Sequence, residues 1–373
     1  MKIGILTFQF VDNYGAVLQA YALKKSLSDN NNEVSIINYD NYKLRASGRS
    51  KISKTKTKVW NCIRRFIFGN KKHKGFDRFR KKYLEIKNEP VCDITGFSNY
   101  INSHDYDCYI VGSDQVWNPL ITNYDETYLL NTIPENKLKI AYAASFGLTS
   151  VDKNWLDVVA TSLDRFDKVS VREANARKCL INAGVQKDIG VVADPVFLLE
   201  QEKWDIIADK KNIGDYILCY IMPGDKYVEK NIEKNAHLLR EKFGYKIIYI
   251  GRKEYKKFRP DGKDIIDASP ADFLGYFKDA KIVLTNSFHG TAFSIIFRKE
   301  FYTFVNPNIV DTKQLSSRIV DLLSECALEN RCVTDTKIEF SSVQYEDSNE
   351  KIEAFVNRSK LFIDAFITDD RGH

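Results

Sequence analysis

Short apolar runs alternate with longer amphipathic segments along the chain, and this alternation predicts parallel α/β structure. The pattern is clearest in the second half, where strand and helix follow one another several times. Strands are predicted at about 216–221, 246–250, 264–266, 281–285 and 301–305, with helices at about 226–242, 270–278, 290–298 and 313–328. Because a parallel strand pair needs such a crossover, we expect a parallel sheet in this half.

The first half shows the same alternation, with a strand at 2–8, a helix after Asn13 and a strand at 33–38. The apolar start therefore indicates a first strand rather than a signal peptide. An amphipathic segment at 350–367 predicts a last helix that packs back across two domains. We expect three regions: an N-terminal α/β domain at 1–198, a second α/β domain at 199–335, and a tail at 336–373.

Composition agrees with a globular protein of two domains. The chain has 373 residues, 44% of them hydrophobic and 28% charged, and no apolar run reaches the length of a membrane span. Seven cysteines are scattered without a C-x-x-C pair, which argues for reduced thiols in a cytosol and against a zinc site. We therefore expect a cytoplasmic protein without a bound metal.

The net charge of +6 is unevenly distributed. The segment 43–87, called the basic arm below, carries 17 Lys and Arg against Asp77 and Glu85, a local charge of +15. Two interpretations stay open. The arm either lies on an anionic membrane face or anionic acceptor, or forms a helical hairpin that folds back on its own domain. No nucleic-acid-binding motif accompanies the charge, so we expect no nucleic-acid partner.

The stretch from Leu284 to Ser294 is the first candidate site. An apolar run ends at Thr285 and a helix is predicted after Ser287, so His289 lies at a strand-to-helix turn. Such turns lie at the carboxyl edge of a parallel sheet, where the helix N-terminus favours an anion. Gly290 would allow close approach of the backbone to that anion. His289 is either a general acid/base or a structural residue that caps the loop.

Two other strand ends carry polar groups. Asp114, Gln115 and Asn118 follow the predicted strand 106–111 and are suited to binding sugar hydroxyls, while Trp117 offers a ring face. The alternative is a structural turn anchored by that tryptophan. Arg172 ends another predicted strand and is expected to pair with a carboxylate, from either the protein or a substrate.

Several ordered motifs resemble the polysaccharide pyruvyl transferase family. They are Asn13-Tyr-Gly15, Val111-Gly-Ser-Asp-Gln-Val-Trp-Asn118, Ala141-Tyr-Ala-Ala-Ser-Phe-Gly147, Val169-Ser-Val-Arg172-Glu173, Ala193-Asp-Pro195 and Ser287-Phe-His-Gly290. The resemblance implies two Rossmann-like domains facing across a cleft, as in GT-B glycosyltransferases. It also implies transfer of pyruvate from phosphoenolpyruvate, a co-substrate, to two hydroxyls of a sugar in a capsule or other surface polysaccharide, or in its lipid-linked precursor.

The resemblance implies roles for individual residues. His289 is expected to be the acid/base and Asp114 to orient or deprotonate the acceptor. Donor-binding candidates are Arg172, Asn286, Ser287, Gly290, Thr291 and Arg318. Acceptor-binding candidates are Asn13, Tyr14, Gly15, Ser113, Gln115, Trp117, Asn118 and Ser145. Many family members have arginine where this chain has Ser287, so Arg318 is expected to replace that charge.

Two other functions are compatible with these motifs. One is a nucleotide-sugar glycosyltransferase of GT-B architecture, favoured by the departure at Ser287. The other is a non-catalytic glycan-binding protein. The sequence leaves open the acceptor sugar, the positions and stereochemistry of the ketal, and the oligomeric state.

Overall fold

The computed structural model describes residues 1–40, 71–86, 90–91, 93–251, 262–307, 316–334 and 337–367. The chain divides into two compact units. Unit 1 comprises the described residues within 1–59, 78–199 and 355–373, and unit 2 those within 60–77 and 200–354. Each unit contains one six-stranded parallel sheet with helices, which confirms the predicted α/β class with two Rossmann-like domains.

Unit 1 contains the first six strands. They are β1 (Lys2–Leu6), β2 (Glu33–Ile36), β3 (Cys108–Asp114), β4 (Leu138–Ala144), β5 (Lys168–Val171) and β6 (Ile189–Val191). Its helices are α1 (Tyr14–Asp29), α2 (Ile94–Ser103), α3 (Pro119–Thr122), α4 (Lys153–Ser162) and α5 (Ala174–Asn182). A 3₁₀ turn at Pro195–Leu198 follows the last strand.

The strand order in unit 1 is β2-β1-β3-β4-β5-β6. After β1 the chain adds β2 on one side of it and β3 on the other, so the order reverses between β1 and β3. Leu6 pairs with Val111 at this position. In open parallel sheets, ligands bind outside the carboxyl ends of the strands at such a reversal.

Helix α1 begins directly after that sheet edge. Asn13 has an extended backbone and its side chain accepts a hydrogen bond from Ala16 N at 3.3 Å, as an N-cap does. Every residue from Tyr14 to Lys24 is buried. The helix packs against β2, β3 and the turn Pro195–Leu198, so it is covered on more than one side. This explains why its sequence is apolar and small rather than clearly amphipathic.

Unit 2 contains the other six strands. They are β7 (Tyr216–Tyr220), β8 (Lys246–Ile250), β9 (Gly262–Ile265), β10 (Ile282–Thr285), β11 (Glu300–Phe304) and β12 (Cys332–Val333). Its helices are α6 (Gln201–Asp205), α7 (Lys226–Phe243), α8 (Pro270–Asp279), α9 (Phe288–Ile296) and α10 (Ser316–Glu325). The order β12-β11-β10-β7-β8-β9 reverses between β7 and β10.

The final helix, α11 (Tyr345–Ile367), belongs to both units, since the units divide between Ala354 and Phe355. Within unit 2, the Tyr345 hydroxyl donates to Lys299 O at 2.9 Å. Within unit 1, Ser359 Oγ accepts from Ala193 N at 2.7 Å, just after β6. Each half of the helix is therefore attached to its own unit by a specific hydrogen bond.

Part of the basic arm is described, and its apolar side chains are buried in the protein. Residues 71–79 are helical and continue into a π-helical turn at Arg80–Leu84. Phe76, Phe79 and Leu84 are at most 3% exposed. This part of the arm therefore folds on its own chain rather than presenting an apolar face to a membrane. The rest of the arm, at 43–70 and 87, lies outside the described residues.

Arg80 in this segment fixes the loop after β1. Its Nε donates to Gln9 O at 2.7 Å, and its Nη2 reaches Phe10 O at 3.0 Å and Asp12 Oδ1 at 2.7 Å. The side chain is 9% exposed. Arg80 thus acts on the chain's own loop, which the sequence pattern did not indicate.

Replacement of Asp272 by alanine is expected to weaken the start of α8. Asp272 and Ser269 form a capping box, and Lys211 also bonds to the carboxylate. Burial raises the pKa of Asp272, but the bonds from Lys211 and Ser269 lower it by more, leaving it below its ordinary value. We expect Asp272→Ala to lower the free energy of unfolding by about 1–2 kcal/mol at pH 7, measured by urea denaturation.

The same effect has a defined pH dependence. Because the folded-state pKa of Asp272 is depressed, its contribution is present at neutral pH and is lost as the pH falls below about 3.9. Asp157→Ala is the control, since it removes an exposed i,i+4 pair with Lys153. If Asp157→Ala lowered the free energy of unfolding as much as Asp272→Ala, the capping role of Asp272 would be contradicted. It would also be contradicted if the difference between Asp272→Ala and wild type persisted in acid.

Candidate functional site

The ends of β1 and β3 in unit 1 are joined by buried polar side chains. Thr7 Oγ1 donates to Ser113 O at 3.1 Å and accepts from Gln19 Nε2 at 2.8 Å. Ser113 Oγ donates to Ala143 O at 2.9 Å, just before the end of β4. All three side chains are fully buried. Ser113, predicted to bind acceptor, therefore connects neighbouring strand ends, and its contact with an acceptor stays a prediction.

Four charged residues meet at the carboxyl edge of this sheet. Arg172 Nη1 donates to Asp194 Oδ2 at 2.8 Å, its Nη2 lies 3.6 Å from Asp114 Oδ1, and its Nε lies 3.8 Å from Glu173 Oε2. The Arg172 side chain is 1% exposed and that of Asp114 is 13% exposed. Asp114 is the most accessible of the three carboxylates. The structure thus brings together Asp114 and Arg172, two predicted site residues.

The carboxylates hold the guanidinium in its charged form. Burial lowers the pKa of Arg172, but the charges of Asp194, Asp114 and Glu173 raise it by more, so the net shift is upward. One positive charge stands against three negative ones in this cluster. The sequence predicted that Arg172 pairs with a carboxylate of the protein or a substrate, and Asp194, which makes the shortest bond, was not identified as that partner. Its position directly after β6, at the same sheet edge, was the available signal.

Ser145 belongs to the same cluster. Its Oγ donates to Glu173 Oε1 at 2.6 Å and accepts from Gly147 N at 2.9 Å, and Arg172 Nη2 lies 3.4 Å away. These bonds fix the loop after β4. The side chain is buried and already bonded, so its predicted contact with an acceptor stays a prediction.

The structure corrects the expectation for Trp117. The indole is fully buried, donates from Nε1 to Tyr128 O at 3.3 Å, and lies 5.8 Å from the Phe146 ring. It offers no face to a sugar, because it fills the core below the loop. The alternative stated from the sequence, a turn anchored by tryptophan, is the one observed.

The two amides of this loop differ in accessibility. Asn118 is 3% exposed, caps α3 by accepting from Leu120 N at 3.0 Å, and donates to Gln115 Oε1 at 2.8 Å. Gln115 is half-buried and lies across Gly147, where an added Cβ would be 2.0 Å from Gln115 Oε1. Asn118 is therefore a structural cap, and Gln115 is the more accessible of the two.

Three predicted acceptor residues begin α1. Asn13 is exposed, whereas Tyr14 and Gly15 are buried. Asn13 caps the helix, as predicted from the sequence. Its location beside the β1–β3 reversal is compatible with a ligand contact, which stays a prediction.

In unit 2, hydroxyl groups fix the turn between β10 and α9. Thr285 Oγ1 donates to Tyr220 O at 2.7 Å and accepts from Ser287 N at 3.0 Å. Ser287 Oγ accepts from Gly290 N at 3.3 Å as the N-cap of α9, and it is hydrogen-bonded to the Tyr220 side chain. Burial raises the pKa of Tyr220, and the bond with Ser287 offsets part of that rise. Ser287 is therefore used to start the helix.

The side chains of Asn286 and Thr291, which lie close to Ser287 in the chain, also form hydrogen bonds within unit 2. The Asn286 amide accepts from Met222 N at 2.7 Å and donates to Met222 O at 2.9 Å, which joins the ends of β10 and β7. Thr291 Oγ1 lies 2.8 Å from Thr303 Oγ1 and is fully buried. These side chains position the turn, and their direct contact with a donor stays a prediction.

The structure shows a packing role for Gly290 that the sequence analysis did not predict. An added Cβ would lie 2.3 Å from Thr285 Oγ1 and 2.9 Å from Tyr220 Cδ1. The glycine therefore allows α9 to pack closely on β10 and β7. Its missing side chain faces the core of unit 2, and the approach of its backbone to an anion stays a prediction.

His289 is the second residue of α9 and is the partly exposed member of this turn. Its ring meets that of Phe288 edge-on at 5.3 Å. Arg318 is 5% exposed near the start of α10, a helix that packs against α9. His289 therefore lies beside the β7–β10 reversal, and Arg318 lies on a helix that packs against α9.

The described residues contain no group of three or more His, Cys, Asp or Glu arranged to hold a metal ion. None of the described helices is long and apolar enough to cross a membrane.

Two doubly wound α/β units, each with polar side chains where its strand order reverses, define a class of ligand-binding α/β proteins. A family model described as polysaccharide pyruvyl transferase matches residues 13–308, and the chain belongs to that family. No curated protein matched the chain.

Solved structures similar to the chain include UDP-GlcNAc 2-epimerases. The UDP-GlcNAc 2-epimerase of Methanocaldococcus jannaschii, solved with UDP-GlcNAc and UDP, is 15% identical with 99% of each chain covered and a TM-score of 0.52. That of Neisseria meningitidis is 12% identical with a TM-score of 0.53, covering 99% of this chain and 100% of its own. A putative one from Listeria monocytogenes is 11% identical with a TM-score of 0.52, covering 97% and 90%. At these identities the likeness concerns the fold.

Replacement of Gly290 by alanine is expected to destabilise unit 2. In an open helix this change stabilises by up to about 1 kcal/mol, whereas overpacking a core costs about 1–3 kcal/mol. Because the new methyl group would meet Thr285 and Tyr220, we expect a lower melting temperature by calorimetry. Gly190→Ala is the control, since its Cβ would lie 3.3 Å from the movable Phe362 ring. A Gly290→Ala protein more stable than wild type would show that this helix face is open.

Proposed function

We propose that this protein transfers pyruvate from phosphoenolpyruvate to two hydroxyls of one sugar in a surface polysaccharide or its lipid-linked precursor, forming a cyclic ketal. The observation that carries the proposal is the family match over residues 13–308. Polar groups at the strand-order reversals of both units support it, because a donor and an acceptor each need such a site.

The reaction requires two proton transfers that the chain's residues can serve. The methylene carbon of phosphoenolpyruvate takes a proton and becomes a methyl group, and the cationic carbon beside it is attacked by the first sugar hydroxyl. Phosphate then leaves, and the second hydroxyl attacks the same carbon. The two hydroxyls lose two protons, one balancing the new methyl group and one leaving with phosphate.

Unit 2 is assigned the donor. His289 is partly exposed at the start of α9 and is the proposed acid that protonates the methylene carbon. The N-terminus of α9 favours the negative charge of the donor, and Arg318 on the adjacent α10 is the proposed cation for it. Ser287, Asn286 and Thr291 support this role by fixing the turn that carries His289.

Unit 1 is assigned the acceptor. Asp114 is the proposed group that accepts a proton from a sugar hydroxyl, because it is the most accessible carboxylate of its cluster. Gln115 is partly exposed and Asn13 is exposed at the same sheet edge, and both are proposed to bind further hydroxyls.

A second candidate is an enzyme acting on a nucleotide sugar. It is favoured by the structural likeness to UDP-GlcNAc 2-epimerases and by serine at position 287, where many family members have arginine. Calorimetric titration with UDP-GlcNAc and with phosphoenolpyruvate separates the two candidates. Binding of the nucleotide sugar alone would favour the second.

Replacement of His289 by glutamine is expected to lower kcat by roughly 10²- to 10⁴-fold, the usual contribution of a general acid. Release of phosphate from phosphoenolpyruvate is measured with a panel of lipid-linked and free glycans, and the ketal is detected by NMR. Because glutamine keeps the size and polarity of the ring, the fold should be retained.

His73→Gln is the matched control, since the side chain of His73 is 57% exposed and pairs with Asp77 within the same helical segment. We expect wild-type turnover from it. Full turnover from His289→Gln would refute the acid role. Wild-type protein that neither binds nor consumes phosphoenolpyruvate would refute the proposed function.

A further inference from the structure

We propose that Arg172 is a positioning residue that holds Asp114 toward the acceptor, rather than a ligand of the anionic donor. The inference rests on the proposed function and deepens the acceptor side of it. It differs from the role that the family resemblance implies for this arginine.

The first argument is the burial of the guanidinium. The Arg172 side chain is 1% exposed and that of Asp194 is 0% exposed, and the two are joined by a bond of 2.8 Å. The other oxygen of Asp194 accepts from Val196 N at 3.2 Å, which starts the turn Pro195–Leu198. That turn packs against α1. The guanidinium is therefore anchored through Asp194 to the body of unit 1.

The second argument is charge. Three carboxylates surround this one guanidinium, within 2.8 Å for Asp194, 3.6 Å for Asp114 and 3.8 Å for Glu173. The cluster is already net negative. Phosphoenolpyruvate carries a carboxylate and a phosphate, so a donor placed here would add negative charge to an excess of it. Like charges at such distances repel strongly in a buried site.

The third argument is the backbone of Asp114. Its φ is +72°, in the left-handed region that non-glycine residues adopt at a cost, and the next strand has Ala143 at +47°. Such a conformation persists when surrounding contacts hold it. Arg172 Nη2 lies 3.6 Å from Asp114 Oδ1 and supplies such a contact from the end of β5, which is separated from β3 by β4.

These observations assign a chain of contacts from Asp194 through Arg172 to Asp114. The two buried members fix the third, whose carboxylate is the only partly exposed one of this chain of contacts, at 13% for the Asp114 side chain against 0% for Asp194. Removal of the positive charge would take away the cation that lies within 4 Å of Asp114, Asp194 and Glu173. The Asp114 carboxylate would then turn away or take up a proton, and either change would impair attack by the acceptor hydroxyl.

The experiment compares donor binding with turnover in Arg172→Lys and Arg172→Gln. We expect the calorimetric Kd for phosphoenolpyruvate to stay within about twofold of wild type in both. In Arg172→Gln we expect kcat to fall by roughly 10²- to 10³-fold with a raised KM for the acceptor, and in Arg172→Lys a partial rescue, because the charge is retained. Arg177→Lys, an exposed arginine on α5, is the matched control.

A double-mutant cycle makes the test independent of folding defects at position 172. Asp114→Asn leaves the Arg172–Asp194 pair in place and is expected to lower kcat by a similar factor. If Arg172 acts through Asp114, Arg172→Lys should cause little further loss in the Asp114→Asn background. If the loss of kcat in the double variant equalled the product of the losses in the two single variants, the inference would be overturned.

If Arg172→Lys raised the Kd for phosphoenolpyruvate tenfold or more while turnover by the wild-type protein was measurable, this inference alone would be overturned. Arg172 would then be a donor ligand. Wild-type protein that neither binds nor turns over phosphoenolpyruvate would instead overturn the proposed function, and this inference with it.

Discussion

Both candidate sites depend on one constraint. In each unit, the first strand pairs in parallel with a strand from later in the chain. β1 pairs with β3 and β7 pairs with β10, so the order of strands reverses at these pairs. The loops that leave adjacent strand ends at a reversal run in opposite directions and leave room for a ligand between them. Thr7 with Ser113 in unit 1, and Met222 with Asn286 in unit 2, connect these ends by hydrogen bonds.

The two edges are built from different chemistry. Unit 1 gathers buried charges around Arg172, and such a cluster is stable only while each charge keeps a partner. Unit 2 uses neutral hydroxyl and amide groups, with Ser287, Thr285 and Asn286 holding the turn before α9. An excess of negative charge suits a carboxylate that accepts a proton, whereas the neutral groups described at the turn before α9, together with its helix N-terminus, suit an anion. The proposed assignment of acceptor to unit 1 and donor to unit 2 rests on this difference.

The described part of the basic arm shows how a charge pattern misleads when it is interpreted alone. Phe79 and Tyr83 pack on Tyr21 of α1 at centroid distances of 6.1 and 5.7 Å, and Arg80 clamps the loop after β1. In the described part of the arm, Phe76, Phe79 and Leu84 are thus core residues of the chain itself. A sequence pattern reports that a face is apolar, and the tertiary structure decides what covers that face.

The sequence by itself determined the α/β class, the two units and the strand ends at which polar groups lie, because apolar period and turn residues are local properties. It also marked the cap of α1 at Asn13 and the turn that carries His289. Tertiary structure alone decided that Trp117 is buried, that Gly290 faces Thr285, and that Asp194 neutralises Arg172. These depend on contacts between residues distant in the chain, and spacing along a sequence does not specify which side chains meet across a sheet edge.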